Sequence, residues 1–182
     1  MKNKISILLT ILLFTISCQT KQITMLVGYK YDKKNNQTTL TLSPFGNIVI
    51  PNQWTRTSFN ASSKQHFFQD KELNTISVAK NLKEKYPFYK ATQNDKEFVN
   101  EFVKWEMEYF KSQGLEVRII ESKAENSYVI WNAKDKNATK DKVNTFFIFG
   151  VKNNFVYVFS GTSKKWSNEK IIEFLRNLYL SN

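Results

Sequence analysis

Few side chains in this sequence have the chemistry that catalysis or metal binding needs. His66 is the only imidazole and Cys18 the only thiol in 182 residues, so a Ser-His or Cys-His nucleophile system would have to use His66. No motif surrounds any serine, and His66 stands beside Phe67 in a predicted strand. A single Cys and a single His also exclude the usual zinc sites and an intrachain disulfide. We interpret His66 as a structural or surface residue.

The carboxylates form no pattern that indicates a reaction. Glu97, Glu101 and Glu108 fall near one side of a predicted helix among lysines, which is typical of an exposed, salt-bridged face. Asp135 and Asp141 lie in a Lys- and Asn-rich loop that lacks the glycine and the terminal Glu of an EF-hand. The chain has five glycines and neither a phosphate loop nor a dinucleotide fingerprint. We therefore expect no metal and no cofactor.

The positive charge is supplied almost entirely by lysine. Lys and Arg together number 27 against 16 Asp and Glu, a formal net charge of +11, and only Arg56, Arg118 and Arg176 are arginines. Bidentate recognition of phosphates and bases favours Arg, and the lysines are dispersed along the chain, so we expect no nucleic-acid partner. Anionic headgroups or an acidic polysaccharide are the charged partners left open, beside a merely Lys-rich surface.

The N-terminus has the organisation of a secretory signal peptide. Lys2 and Lys4 precede the uncharged apolar run of residues 5–16, and Ser17 and Cys18 follow it. Twelve residues span about 18 Å as a helix, which is shorter than the roughly 30 Å hydrocarbon layer of a bilayer. This run is therefore too short for a permanent membrane span.

Residues Thr15-Ile16-Ser17-Cys18 resemble the lipobox of bacterial lipoproteins. They depart from the commonest form, because Thr15 stands where Leu is usual and Ile16 is bulkier than the typical residue. The resemblance implies cleavage after residues 1–17 and a diacylglycerol on the sulfur of Cys18. It also implies an exported protein anchored to a bacterial membrane, expected to be the outer membrane, facing the periplasm or the surface. An ordinary signal peptide cut nearby is the alternative.

The rest of the chain is predicted to be one domain, because no repeat or second composition regime interrupts it. Residues 18–36 are predicted to be the lipidated Cys and a polar, partly ordered tether, and residues 37–182 a single α+β domain. Alternating or Phe-, Val- and Tyr-rich runs bounded by turn residues predict strands. These runs are residues 39–42, 46–50, 65–68, 73–79, 115–119, 127–132, 145–151 and 155–160.

Two segments have helical periodicity. The first is residues 95–113, with Asn94 as the expected N-cap and Gly114 as the expected left-handed C-terminal residue. The second runs from Asn168 to about residue 180, with Ser167 as its N-cap. An aromatic stripe on the first helix is predicted to face the core: Phe98, Phe102, Trp105 and Tyr109.

The order of elements predicts an α+β fold, in which an antiparallel β-sheet carries two α-helices packed on one face. In this order, residues 45–180 resemble the PsbP-like fold of photosystem accessory proteins and certain bacterial lipoproteins. The resemblance is carried by residues 48–54 (IVIPNQW), the mid-chain helix, the Phe149 to Phe159 hairpin and residues 172–175 (IEFL) of the last helix. It implies an accessory or binding role and assigns no catalytic residue.

The sequence therefore favours a non-enzymatic lipoprotein of the cell envelope that binds a protein or an anionic polymer. Two alternatives stay open: an envelope hydrolase whose site forms only on folding, and a lipoprotein that protects against a toxin or phage. The candidate partner contacts lie in the Lys-Asn loop and near two tryptophans: Trp54, Asn137, Lys140, Lys164 and Trp166.

Overall fold

The computed structural model describes residues 25–123, 127–136 and 144–182. In this part of the chain there are ten strands and two longer helices. The strands are β1 (Leu26–Asp32), β2 (Gln37–Ser43), β3 (Asn47–Pro51), β4 (Thr55–Asn60), β5 (Gln65–Gln69), β6 (Thr75–Leu82), β7 (Leu115–Lys123), β8 (Tyr128–Asp135), β9 (Asn144–Lys152) and β10 (Phe155–Thr162). The helices are α1 (Asp95–Ser112) and α2 (Asn168–Ser181). Cys18 and the signal peptide, Asn137 and Lys140 lie outside the described residues.

The strands form two antiparallel sheets. The larger has seven strands in the order β4-β5-β6-β10-β9-β8-β7, and the smaller has the order β1-β2-β3. Every paired strand is antiparallel to its neighbour, and the Phe149 to Phe159 hairpin joins β9 to β10 across Asn153 and Asn154, both with positive φ. The α+β class predicted from the sequence is confirmed.

The two helices lie on opposite faces of the large sheet, so the prediction that both pack on one face is wrong. In β9, Phe146 and Ile148 belong to the core cluster beneath α2, whereas Phe147 and Phe149 belong to the cluster beneath α1. Successive strand residues point to opposite faces. Because β8, β9 and β10 are apolar on both faces, each face needs its own cover.

The face beneath α2 is also covered by the small sheet. Leu40, Ile48 and Ile50 of this sheet share one core cluster with Leu175 and Leu178 of α2. Asn182 links α2 to the small sheet. Its side chain accepts a hydrogen bond from the Val49 amide at 2.8 Å and donates one to the Val49 carbonyl at 2.9 Å.

The helix ends follow the sequence, but the aromatic stripe of α1 does not. Asn94 and Glu97 form a reciprocal capping box, and Gly114 has φ +83. Phe98 and Phe102 are buried as expected. Trp105 is 47% exposed and Tyr109 57% exposed, because the buried side of α1 is turned toward Val99 and Val103.

The ordered fold starts earlier than the sequence predicts. Strand β1 lies inside the predicted tether of residues 18–36 and pairs along its whole length with β2. Its residues are all exposed or half-buried, so β1 has no buried alternation to detect. The tether prediction is therefore wrong from Leu26 onward.

Candidate functional site

A polar groove lies at one end of the two stacked sheets, with a volume of about 590 Å³. Five separate segments line it: the end of β1 with the β1–β2 turn, the β3–β4 connection, β4, the end of β5 with the β5–β6 turn, and the start of α2 with the residues just before it. The lining residues are Tyr31, Asn36, Asn52, Gln53, Thr55, Thr57, Gln69, Asp70, Lys71, Glu72, Trp166 and Lys170. We call this surface the end groove.

The β5–β6 turn is held by one carboxylate. Asp70 accepts hydrogen bonds from the amide N–H groups of Glu72 (2.8 Å) and Asn74 (2.9 Å) and from the Asn74 side chain (2.6 Å). A side chain that bonds its own following backbone is the usual way in which Asp fixes a turn. As Asp70 is engaged in this way, the exposed Lys71 and Glu72 are the charged groups that the turn offers to the groove.

Side-chain hydrogen bonds link the β1–β2 hairpin of the small sheet to the β3–β4 connection. The Tyr31 hydroxyl donates to Asn36 Oδ1 at 3.0 Å, and Asn36 Nδ2 donates to Asn52 Oδ1 at 3.1 Å. Asn36 and Asn52 both have positive φ, at 47 and 72, a conformation that Asn tolerates better than most residues. The amides are thereby held in place with unused donor and acceptor capacity toward the groove.

Trp166 forms the aromatic wall of the end groove. Its ring lies 6.2 Å from that of Trp54 and 5.3 Å from that of Phe174, so it rests on the core while remaining half-buried. The Lys170 ammonium lies 4.7 Å from the Trp166 ring centroid, within cation–π range. The predicted contact Trp166 is therefore positioned on a surface with a ligand-sized depression.

The other candidate contacts do not join Trp166. Trp54 is only 3% exposed and its indole N–H donates to the Pro51 carbonyl at 2.8 Å, so Trp54 is a core residue and not a surface contact. Lys164 is exposed on the loop before α2 and does not line the end groove. Asn137 and Lys140 fall outside the described residues.

His66 has no catalytic geometry within the described residues. It is 1% exposed, and neither of its ring nitrogens has a hydrogen-bond partner. Burial, with a smaller contribution from the charge of Arg56, lowers the pKa of His66 to about 4. A neutral, buried imidazole without a hydroxyl, thiol or carboxylate partner does not activate a nucleophile.

The acidic groups of α1 lie in two different environments. Glu101 lies 3.5 Å from Lys90 in an exposed ion pair, as expected of a solvated face. Glu106, on the buried side of α1, has its pKa raised to about 7 by desolvation. Among the described residues, no three His, Cys, Asp or Glu side chains are grouped so that they could hold a metal ion.

Comparison with known proteins gives little beyond this geometry. No protein-family model and no curated protein matches the sequence. A solved structure to which the chain is similar is the solution structure of cyanobacterial PsbP (CyanoP) from Synechocystis sp. PCC 6803, with 16% identity and a TM-score of 0.40 over 92% of this chain and 94% of that chain. The PsbP-like resemblance of residues 45–180 therefore stays a prediction. Neither described helix is both long and apolar enough to cross a bilayer.

The end groove was not visible in the sequence, apart from Trp166. Its polar residues belong to turns that look like ordinary connections, and they meet only because the small sheet stacks on the large one. The one signal available was the repeated use of Asn and Asp at those turns, at Asn36, Asn52 and Asp70.

Proposed function

We propose that this protein is a non-enzymatic binding module of the bacterial envelope, held at a membrane by a lipid on Cys18, that binds an acidic polysaccharide in the end groove. The observation that carries the proposal is the composition of this groove. It combines side-chain amides and hydroxyls with an aromatic wall and two lysines.

The amides and hydroxyls suit the hydroxyl groups of a sugar. Each sugar hydroxyl both donates and accepts, and Asn, Gln and Thr side chains do the same. Concave sites typically orient a ligand with a few fixed polar groups on a largely preformed surface. The linked Tyr31, Asn36 and Asn52 side chains meet that requirement.

The aromatic wall suits the apolar face of a sugar ring. The side chain of Trp166 is half-buried and supported from below by Trp54 and Phe174, so little conformational entropy is lost when a ligand packs against it. Trp is also one of the residue types that contribute most at binding surfaces.

The charges favour an acidic polymer over a neutral one. Lys71 and Lys170 both line the groove and are exposed. Two carboxylates line the groove as well: Asp70 makes three hydrogen bonds within its own turn and Glu72 is exposed on the same turn. Lys170 is the lining charge that stands on a different segment, α2, and it is the lysine on which the preference for an acidic ligand rests. Lysine bonds to carboxylates are charge-assisted and stronger than neutral ones, and the net charge of +11 adds attraction at longer range.

Calorimetric titration tests the groove, with polygalacturonate as the acidic probe and dextran as the neutral one. We expect binding of polygalacturonate that weakens at least tenfold in Lys170→Gln, since one charge-assisted bond contributes about 1.5–3 kcal/mol. Lys104→Gln, a change of an exposed lysine on α1, is the matched control and leaves affinity unchanged. Equal affinity of Lys170→Gln and Lys104→Gln for polygalacturonate, or equal binding of dextran and polygalacturonate, contradicts the binding of an acidic polymer in the end groove.

The anchor is tested separately by mass spectrometry of the mature N-terminus. An acylated Cys18 as the first residue supports the envelope location. A mature chain that starts elsewhere without a lipid contradicts it and leaves the groove proposal to its own experiment.

A further inference from the structure

The side of the small sheet that points away from the core carries a second depression. Leu40 of β2 belongs to the core, and successive strand residues point to opposite faces, so Thr39 and Thr41 point outward. Residues paired across two strands share a face, and the partners of these threonines in β1 are Lys30 and Gly28. The depression between them has a volume of about 740 Å³. We call this surface the outer face.

Gly28 leaves the floor of the depression open. A Cβ built on Gly28 would have no heavy atom within 4 Å, so no other side chain fills the space above it. Gly28, its partner Thr41 and the neighbouring Lys30 are all exposed. The depression is therefore reachable from solvent, and the Thr41 hydroxyl is available to a ligand as donor or acceptor.

Positive charge dominates the lining of the outer face. Three exposed lysines line it: Lys30, Lys33 and Lys34. None of them forms an ion pair with a described carboxylate. Asp32 also lines the depression, and it accepts hydrogen bonds from the amides of Lys34 (2.9 Å) and Asn35 (3.3 Å) and from the Asn35 side chain (2.7 Å). With three lysines against one carboxylate, the outer face attracts anions.

The start of β1 brings the outer face close to the proposed membrane anchor. Leu26 lies two residues before Gly28, hence on the same face, and it is 71% exposed. Cys18 precedes Leu26 by eight residues. Because an extended chain spans at most about 3.6 Å per residue, a lipid on Cys18 keeps Leu26 within about 29 Å of the bilayer.

We propose that the outer face binds the phosphate groups of anionic phospholipids in the membrane that carries the anchor. The lysines meet the phosphates as point charges, and Leu26 reaches the boundary between headgroups and acyl chains. An acidic polymer is the competing ligand; the exposed Leu26 and its short distance from Cys18 favour the lipid. The location at a membrane rests on the lipid proposed for Cys18, whereas the affinity of the outer face for anionic lipid does not.

Co-sedimentation with vesicles tests the outer face without the anchor. The mature chain, residues 18–182 with Cys18→Ser so that no lipid is attached, is mixed with two kinds of vesicle in about 0.1 M NaCl, which screens charges beyond about 10 Å. One kind is phosphatidylcholine alone, and the other is equal parts of phosphatidylcholine and phosphatidylglycerol. We expect partition onto the anionic vesicles at least tenfold stronger than onto the neutral ones.

Two triple variants with the same change in net charge separate the outer face from the general positive charge of the protein. The β1 triple replaces the lysines of the outer face: Lys30→Gln, Lys33→Gln and Lys34→Gln. We expect it to weaken partition at least tenfold, since each lysine near an anionic surface contributes about fivefold. The α1 triple replaces exposed lysines on the far side of the large sheet and leaves partition within twofold: Lys96→Gln, Lys104→Gln and Lys111→Gln.

Three results overturn the proposal: no partition onto the anionic vesicles, equal partition onto both kinds of vesicle, or equal losses in the two triple variants. If polygalacturonate binding is then also weaker in the β1 triple, its lysines belong to a polymer site and not to a lipid site. Mass spectrometry that finds no lipid on Cys18 removes the anchor but leaves the vesicle result unchanged, so the two failures are distinguishable.

Discussion

The burial of His66 makes the stability of the protein depend on pH in a way that one variant can isolate. The folded state holds the pKa of His66 at about 4, mainly because burial disfavours the charged ring, against an ordinary value of 6.5. The unfolded chain therefore binds more protons than the folded chain between these two values. The contribution of His66 is fully present above pH 6.5 and is lost as pH falls toward 4.

The size of the loss follows from the two pKa values. With 1.36 kcal/mol for each pKa unit, linkage gives a loss of about 1.2 kcal/mol at pH 5.5 and about 3 kcal/mol at pH 4, relative to pH 7. Glu121 adds a loss in the same acidic range, because hydrogen bonding to Arg176 lowers its pKa. The His66 part must be separated from that background.

Urea unfolding of the wild type and of His66→Leu at pH 7, 5.5 and 4 makes the separation. The leucine variant keeps an apolar side chain at the buried position and removes the titrating ring, while every other group titrates as before. We expect the stability difference between wild type and variant to move by about 3 kcal/mol in favour of the variant between pH 7 and pH 4. If the stability of the wild type and of the variant changes with pH in the same way, His66 is protonated without cost. That result would refute the conclusion that its ring is buried without a hydrogen-bond partner.

Three further changes test other parts of the fold, each by urea unfolding. Gly150→Ala places a Cβ 2.5 Å from Cε2 and 2.6 Å from the hydroxyl oxygen of Tyr179, so we expect the free energy of unfolding to fall by about 3 kcal/mol. Gly28→Ala is the control, because its Cβ would have no atom within 4 Å. Equal losses of stability in the two variants would contradict the close packing of Tyr179 on Gly150. Glu106→Gln is expected to stabilise the protein by up to about 3 kcal/mol at pH 8 and little at pH 4, because the raised pKa of about 7 costs stability as pH rises from 4.5 through 7; a gain that does not grow with pH contradicts it. Asn94→Ala removes half of a capping box and is expected to cost about 1 kcal/mol; no loss would show that the cap contributes nothing.

The sequence was sufficient to predict strands whose residue types show a clear burial pattern, and side chains whose role is local. The inner strands have Phe, Val and Tyr at positions that only a covered strand accommodates, and the caps at Asn94 and Ser167 depend on neighbours three residues away. Strands β1 and β4 were missed because they are edge strands whose exposed residues show no alternation. Local pattern does not report a strand that is held only by pairing with its neighbour.

Two errors came from questions that local pattern does not answer. Periodicity identifies the buried side of each helix, but not which face of the sheet that side covers, so α1 and α2 were placed together. Trp54 was predicted to be a partner contact. In the fold its side chain is buried, and its indole N–H donates to the Pro51 carbonyl.

The end groove depends on contacts between distant segments. It joins Asn36, Asn52, Asp70 and Trp166, which no sequence spacing relates. The chemistry was present in the sequence, and the stacking of one sheet on the other brought it together.

The four tryptophan indole N–H signals offer the most direct test of the end groove. In a nitrogen–proton correlation spectrum recorded during titration with oligogalacturonate, the signal of Trp166 is predicted to shift and saturate. The signal of Trp105, exposed on the opposite face of the sheet, is predicted to stay in place. A spectrum in which Trp166 is unmoved at saturating oligogalacturonate, or in which both signals drift together, would contradict the account.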